Sequence, residues 1–143
     1  MMKRLVLLSC ALWFLFPLSL SAEGKYCTHF PLLFAERGFA HAAISISALH
    51  YQGEDEFVEI TNRSTFPFSL EGYRLQSVEG DQCYVFGAVT LLPRGKVRLH
   101  SGPSAWETPP EDLLWTRRHI WRNAGDEAQL YDDRDLLVDR WAY

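Results

Sequence analysis

Four carboxylates gather near the C-terminus: Asp126, Asp132, Asp133 and Asp135. Oxygen ligands of this kind hold Ca²⁺, and a bound divalent cation can activate water for hydrolysis. Aspartates are equally at home in solvated hairpin turns. The spacing lacks the central Gly and the distant Glu of an EF-hand loop. The turn reading is preferred, and a metal-assisted hydrolase using these four residues stays as an alternative.

The five histidines are His29, His41, His50, His100 and His119, and no pair has H-x-x-x-H or H-E-x-x-H spacing. His100 lies beside Ser101, but a hydrolytic site needs a nucleophile, a base and an orienting acid in contact. No local signature supplies them. The sequence therefore reads as non-enzymatic, with no catalytic residue, no metal site and no cofactor.

One cluster is suited to binding. Arg117, Arg118, His119 and Arg122 concentrate positive charge around Ile120 and Trp121, and Trp106 lies nearby in a proline-containing loop. Arg and Trp are favoured at binding hot spots. Trp106, Arg117, Arg118, Trp121 and Arg122 form a candidate interaction patch for an acidic partner, an anionic lipid headgroup or a glycan. The competing reading is a set of solvated cations pairing with Glu107, Glu111 and Asp112.

The N-terminus bears on the compartment. Lys3 and Arg4 precede an apolar run from Leu5 to Phe16, and small residues end at Ala22. Basic, then apolar, then small is the order of a secretory signal peptide. The apolar run is about a dozen residues, short of the roughly 20 that a spanning helix needs. Cleavage is expected after Ser21 or Ala22, leaving no transmembrane anchor. Lipidation at Cys10 is a weaker fit, because most of the apolar run would follow the modified cysteine. An exported chain, periplasmic or secreted, is expected.

Removing residues 1–22 leaves about 120 residues, enough for one domain with one core. The formal net charge is −4. Losing Lys3 and Arg4 makes the mature chain more acidic by two charges. Phosphate backbones demand the opposite sign, so nucleic acid is disfavoured as a partner. Cys27 and Cys83 remain after processing. An even count in an exported chain points to a disulfide. It would close a loop of about 57 residues and stabilise the fold by roughly 4 kcal/mol.

Positioning these groups requires a framework. Residues 23–43 carry no clear period and read as an N-terminal extension. From Ile44 the period becomes two, the signature of strands. Strands are expected at 44–49, 56–62, 73–77, 83–86, 96–100 and 113–115, with a terminal hairpin over 128–139. Turns fall at 52–55, 79–81, 93–95 and 121–126. Eight or so short strands without a helical period indicate an all-β antiparallel sandwich or barrel over residues 44–143. Gly72 and Gly95 are expected at positive φ. Asn62-Arg63-Ser64 would be a glycosylation acceptor only in a eukaryotic host.

Four segments carry a family resemblance. They are Glu56-Phe57-Val58-Glu59-Ile60-Thr61-Asn62, Leu70-Glu71-Gly72-Tyr73-Arg74-Leu75, the run from Leu92 to Gly102, and the run from Trp121 to Asp132. In this order they resemble the lamin tail domain, also called the intermediate-filament tail domain. Arg94, between Pro93 and Gly95, departs from the family pattern, and the Cys27 extension lies outside it. The resemblance implies an immunoglobulin-like β-sandwich of the bacterial, exported type. It also implies a non-catalytic binding or scaffolding module that docks a protein partner in the cell envelope or outside the cell. In related architectures such a domain sits beside a catalytic domain, and no such domain is expected here. A surface adhesion module binding glycan or lipid is the other alternative.

Overall fold

A computed structural model describes residues 42–143. Ten strands follow one another: β1 (Ile44–His50), β2 (Glu56–Asn62), β3 (Phe68–Ser69), β4 (Arg74–Ser77), β5 (Gln82–Val85), β6 (Thr90–Leu91), β7 (Lys96–Ser101), β8 (Asp112–Thr116), β9 (Glu127–Tyr131) and β10 (Leu137–Ala142). Two four-stranded sheets, ordered β1-β2-β7-β8 and β10-β9-β4-β5, share one core, and β3 pairs with β6. The fold is an immunoglobulin-like β-sandwich.

Alternation along the strands builds the core. Ile44 and Ile46 of β1, Val58 and Ile60 of β2, and Val97 and Leu99 of β7 are buried on the inner face of the first sheet. Leu75 of β4 and Ala128 and Leu130 of β9 are buried in the second, with Leu70, Tyr73, Phe86, Leu91 and Trp121 closing the cluster. Along one side β1 meets β10, where Ile46 N donates to Asp139 Oδ2 at 2.8 Å. Along the other, Trp115 of β8 packs against Tyr84 of β5 with ring centroids 6.0 Å apart.

One pairing departs from the antiparallel expectation. β8 runs parallel to β7, with Leu99 opposite Leu113. A parallel neighbour cannot follow a tight hairpin. Residues 102–111 therefore carry the chain back along the sheet before β8 begins, and this return places a loop over the sheet's outer face.

Gly72 has φ 80°, as expected, but the β6–β7 turn is built differently. Arg94 takes the left-handed conformation at φ 62°, and Gly95 N closes the turn onto Leu92 O at 2.8 Å. A Cβ on Gly95 would lie 2.9 Å from that same oxygen. Close approach, not positive φ, is what requires glycine there. Gly102 meets both demands: φ is 100°, and a Cβ would collide with the Glu54 carbonyl oxygen. Gly102 thus lets the 102–111 loop lie against the β1–β2 turn.

Asn62 ends β2 inside the protein. Its amide nitrogen donates to the carbonyls of Phe66, Leu91 and Leu92, and its oxygen accepts from Ser64 N and Oγ. The side chain is buried and fully engaged. In the folded domain this asparagine offers nothing to a glycosyl transferase.

Candidate functional site

The carboxylates named from sequence do not converge. Asp126 precedes β9, and Asp132, Asp133 and Asp135 follow it. A five-residue strand separates the two ends by about 17 Å. Asp126 is buried and accepts hydrogen bonds from Ser77 Oγ (2.8 Å), Glu79 N (3.0 Å), Arg122 N (3.4 Å) and Glu127 N (2.7 Å). Asp132 is also buried and accepts from Arg134 N and Leu136 N, each at 2.9 Å, which shapes the β9–β10 hairpin. Asp135 is exposed and pairs with Arg74 at 3.0 Å. The grouping of all four around one ion is therefore corrected. Each buried aspartate organises a different turn.

The same logic governs Glu56, which no spacing in the sequence marks as a site residue. It is 1% exposed. Its Oε2 accepts from Ser101 Oγ (2.9 Å), Ile120 N (2.9 Å) and Trp121 N (3.5 Å), and its Oε1 lies 3.0 Å from His119 Nδ1. Ser101 therefore serves Glu56, and no Ser–His pair forms beside His100. That histidine is buried on the outer face of the first sheet. Its Nδ1 lies 2.9 Å from Asp55 Oδ1 and its Nε2 lies 3.1 Å from Asp112 Oδ1. The Trp106 ring covers it at 4.8 Å, and Trp106 Nε1 donates to Asp55 Oδ2 at 3.2 Å.

Next to this assembly, cross-strand pairing sets Glu59 opposite Arg98 and Thr61 opposite Lys96. Glu59 is nearly buried and receives Lys96 Nζ at 2.7 Å, Ser47 Oγ at 2.8 Å and Arg98 Nε at 3.1 Å. An open pocket of about 280 Å³ lies here, lined by Glu59, Lys96, Arg98, Glu111 and Asp112. Burial pushes the Glu59 carboxyl up, but the bonds from Lys96, Ser47 and Arg98 outweigh it and hold the pKa below the ordinary 4.5. The unfolded chain therefore takes up this proton at higher pH than the folded one. The stabilisation is complete above about 4.5 and is lost as pH falls through the lower folded value. Urea unfolding at stepped pH should show Glu59→Gln less stable than the parent at neutral pH and the gap closing toward pH 3. A gap that stays constant would contradict this.

The arginine patch is partly assembled. Arg117, Arg118 and Arg122 are exposed, and Trp106 is 44% exposed. One Arg117 Nη donates to Ala105 O at 2.9 Å, and Gly102 N donates to Arg118 O at 2.9 Å. The loop bearing Trp106 and the strip bearing the arginines therefore touch. Trp121 does not belong to this surface. It is 3% exposed and packs edge-on against Trp115 at 6.0 Å. Glu56 draws the Ile120 and Trp121 backbone inward, and both side chains enter the core.

Of Glu107, Glu111 and Asp112, the rivals named for the arginines, none pairs with them among the described residues. Asp112 is taken by His100, and Arg122 lies 3.7 Å from Glu79 instead. Arg117 and Arg118 form no ion pair among the described residues.

The four motif segments occupy the places their patterns demand: β2, the turn into β4, the turn through β7, and the Asp126 knot leading into β9. The Lamin Tail Domain family model matches residues 38–143. The chain belongs to the lamin tail domain family. Among curated proteins no relative matches it. Lamin tail domains are immunoglobulin-like protein-interaction domains. In this lamin tail domain the signature residues Glu56, Asn62, Gly102 and Asp126 are all accounted for by turn and loop geometry.

Two further expectations meet the edge of the described residues. Cys83 is exposed and unbonded on β5. Cys27, its expected partner, lies outside the described residues, as do the signal peptide and most of the extension. Among the described residues no helix is long and apolar enough to cross a membrane, and no metal-holding group of His, Cys, Asp or Glu is found.

Proposed function

We propose that this lamin tail domain is an exported, non-catalytic module that docks a protein partner in the cell envelope or outside the cell. One observation carries the reading: the buried carboxylates Glu56, Asp126 and Asp132 each accept hydrogen bonds from backbone N–H groups of loops, with Ser101, His119 and Ser77 side chains completing the Glu56 and Asp126 sets. A carboxylate locked this way shapes a surface instead of moving protons. Family membership supports a protein as the partner. The basic, apolar and small-residue order of residues 1–22 supports export, and a disulfide that Cys83, free in this structure, would form with Cys27 in an oxidising compartment belongs to the same proposal. The acidic balance of the chain argues against nucleic acid.

The test is turnover by the purified mature chain on phosphodiester, phosphomonoester and glycan substrates, with and without Ca²⁺, Mg²⁺ or Mn²⁺. No turnover is expected. Turnover that disappears in Asp126→Asn would replace docking with metal-assisted hydrolysis.

A further inference from the structure

Resting on the docking reading above, we infer that the partner presents an extended acidic segment, which binds along Arg117, Arg118 and Arg122 with Trp106 at one end. The charge pattern comes first. From Leu113 to Gly125 the chain holds three arginines and one histidine and no acid, within a chain of 18 acidic and 14 basic residues. The two carboxylates beneath the strip, Glu56 and Asp126, are buried. Glu56 takes the strip's histidine, His119, and both accept from backbone N–H groups, but neither pairs with an arginine guanidinium among the described residues. They hold the strip and leave its three guanidinium groups facing outward.

The second argument is preorganisation. The strip is fixed at nearly every residue. Arg118 O is held by Gly102 N, Ile120 N and Trp121 N by Glu56, Arg122 N by Asp126, and Arg122 O by the Tyr143 hydroxyl at 3.0 Å. A surface already ordered before binding loses less entropy on binding. The guanidinium of Arg118 makes no bond among the described residues, and Arg122 reaches Glu79 only at 3.7 Å with both side chains more than half exposed. The Arg118 fork is open to a carboxylate, which a guanidinium grips bidentately, and the long, solvent-exposed Arg122–Glu79 pair leaves the rest of the Arg122 fork for a second one. Trp106 is held by Asp55 and His100 and offers an exposed ring face for the partner's backbone or aliphatic stems.

A narrow chain fits better than an anionic membrane. Glu54, Glu79 and Glu107 are exposed around the strip. They repel a continuous negative surface but leave a path for one acidic strand. The Trp106 N–H is already bound to Asp55, so it is not open to a headgroup phosphate.

The experiment is fluorescence anisotropy with the mature chain, using a labelled peptide of alternating Glu and Gly, its Gln counterpart, and phosphatidylglycerol vesicles. The Glu peptide is expected to bind and the Gln peptide not, with binding fading as salt shortens the Debye length to about 3 Å near 1 M. Arg117→Ala with Arg118→Ala should weaken it about tenfold, and the double Lys variant should recover part of the loss, since exposed charges contribute modestly. Circular dichroism checks that each variant is folded. Equal binding of the Glu and Gln peptides, indifference to the double Ala variant, or Arg-dependent binding of vesicles in place of peptide would overturn the inference. If any of these occurred while a native protein partner was still captured in cells, docking would survive and this surface would not. If no partner were captured either, both would fall.

Discussion

Glu56→Ala is expected to destabilise the domain by about 3–5 kcal/mol, the range for removing one partner from a buried charged network. For a domain of this size that lowers Tm by more than about 12 °C. The substitution strands Ile120 N, Trp121 N and Ser101 Oγ in a site 1% exposed, and it frees the His119 ring. Ala also leaves a cavity beneath the arginine strip. Glu56→Gln keeps the volume but turns an amide N–H toward donors, so it should recover only part of the loss. Thermal and urea unfolding of the three proteins measure this. A Glu56→Ala variant within about 0.5 kcal/mol of the parent, the usual scatter of surface substitutions, would mean that the carboxylate does not hold this end of the sandwich together.

Asp126→Ala comes next, at about 2–4 kcal/mol, because a buried carboxylate bonded to Ser77, Glu79, Arg122 and Glu127 is lost. This variant also separates two accounts of the same residue. As a turn-holding group, Asp126 stabilises the parent fully in chelator, and millimolar Ca²⁺ leaves Tm unchanged. As a metal ligand, it would give the parent a Ca²⁺-dependent rise in Tm, through preferential binding to the folded state, and the Ala variant would lack that rise. Differential scanning calorimetry with EDTA and with Ca²⁺ distinguishes the two. A rise confined to the parent would restore the metal reading.

The strands were legible because their apolar residues alternate cleanly, as in Val58 and Ile60 or Val97 and Leu99. β3 and β6, two residues each, carry too short a pattern to register. The parallel seating of β8 was hidden because a strand's own sequence does not record its neighbour's direction. That return loop then explains the outer-face surprises. Glu59 and His100 sit at polar positions of ordinary alternation, yet 102–111 and cross-strand partners bury them.

The candidate site was half legible. The run of Arg117, Arg118 and Arg122 stands out by composition, and Trp106 lies near it in sequence. Trp121 was misplaced because its inward turn depends on Glu56, 65 residues earlier in the chain. Asp126 reads from sequence as a turn aspartate bonding the backbone, which it is, whereas Glu56 shows only as a family-pattern acid at the start of a strand. What needs the fold is their reach to distant segments: Ser77 and Glu79 for Asp126, and Ser101, Ile120 and Trp121 for Glu56. At Gly95 the turn pattern suggests positive φ, but Arg94 absorbs the left-handed step and close approach to Leu92 O is what requires glycine.

The most direct test of the central claim is in-cell cross-linking from a tagged copy in its native host, with captured species and cross-linked residues identified by mass spectrometry. The same run reads the bait's processed mass. Docking predicts one dominant protein partner, joined through the loops bearing Trp106 and Arg117–Arg122, on a bait shortened by its first 21 or 22 residues. A correctly processed bait that captures no protein would contradict it.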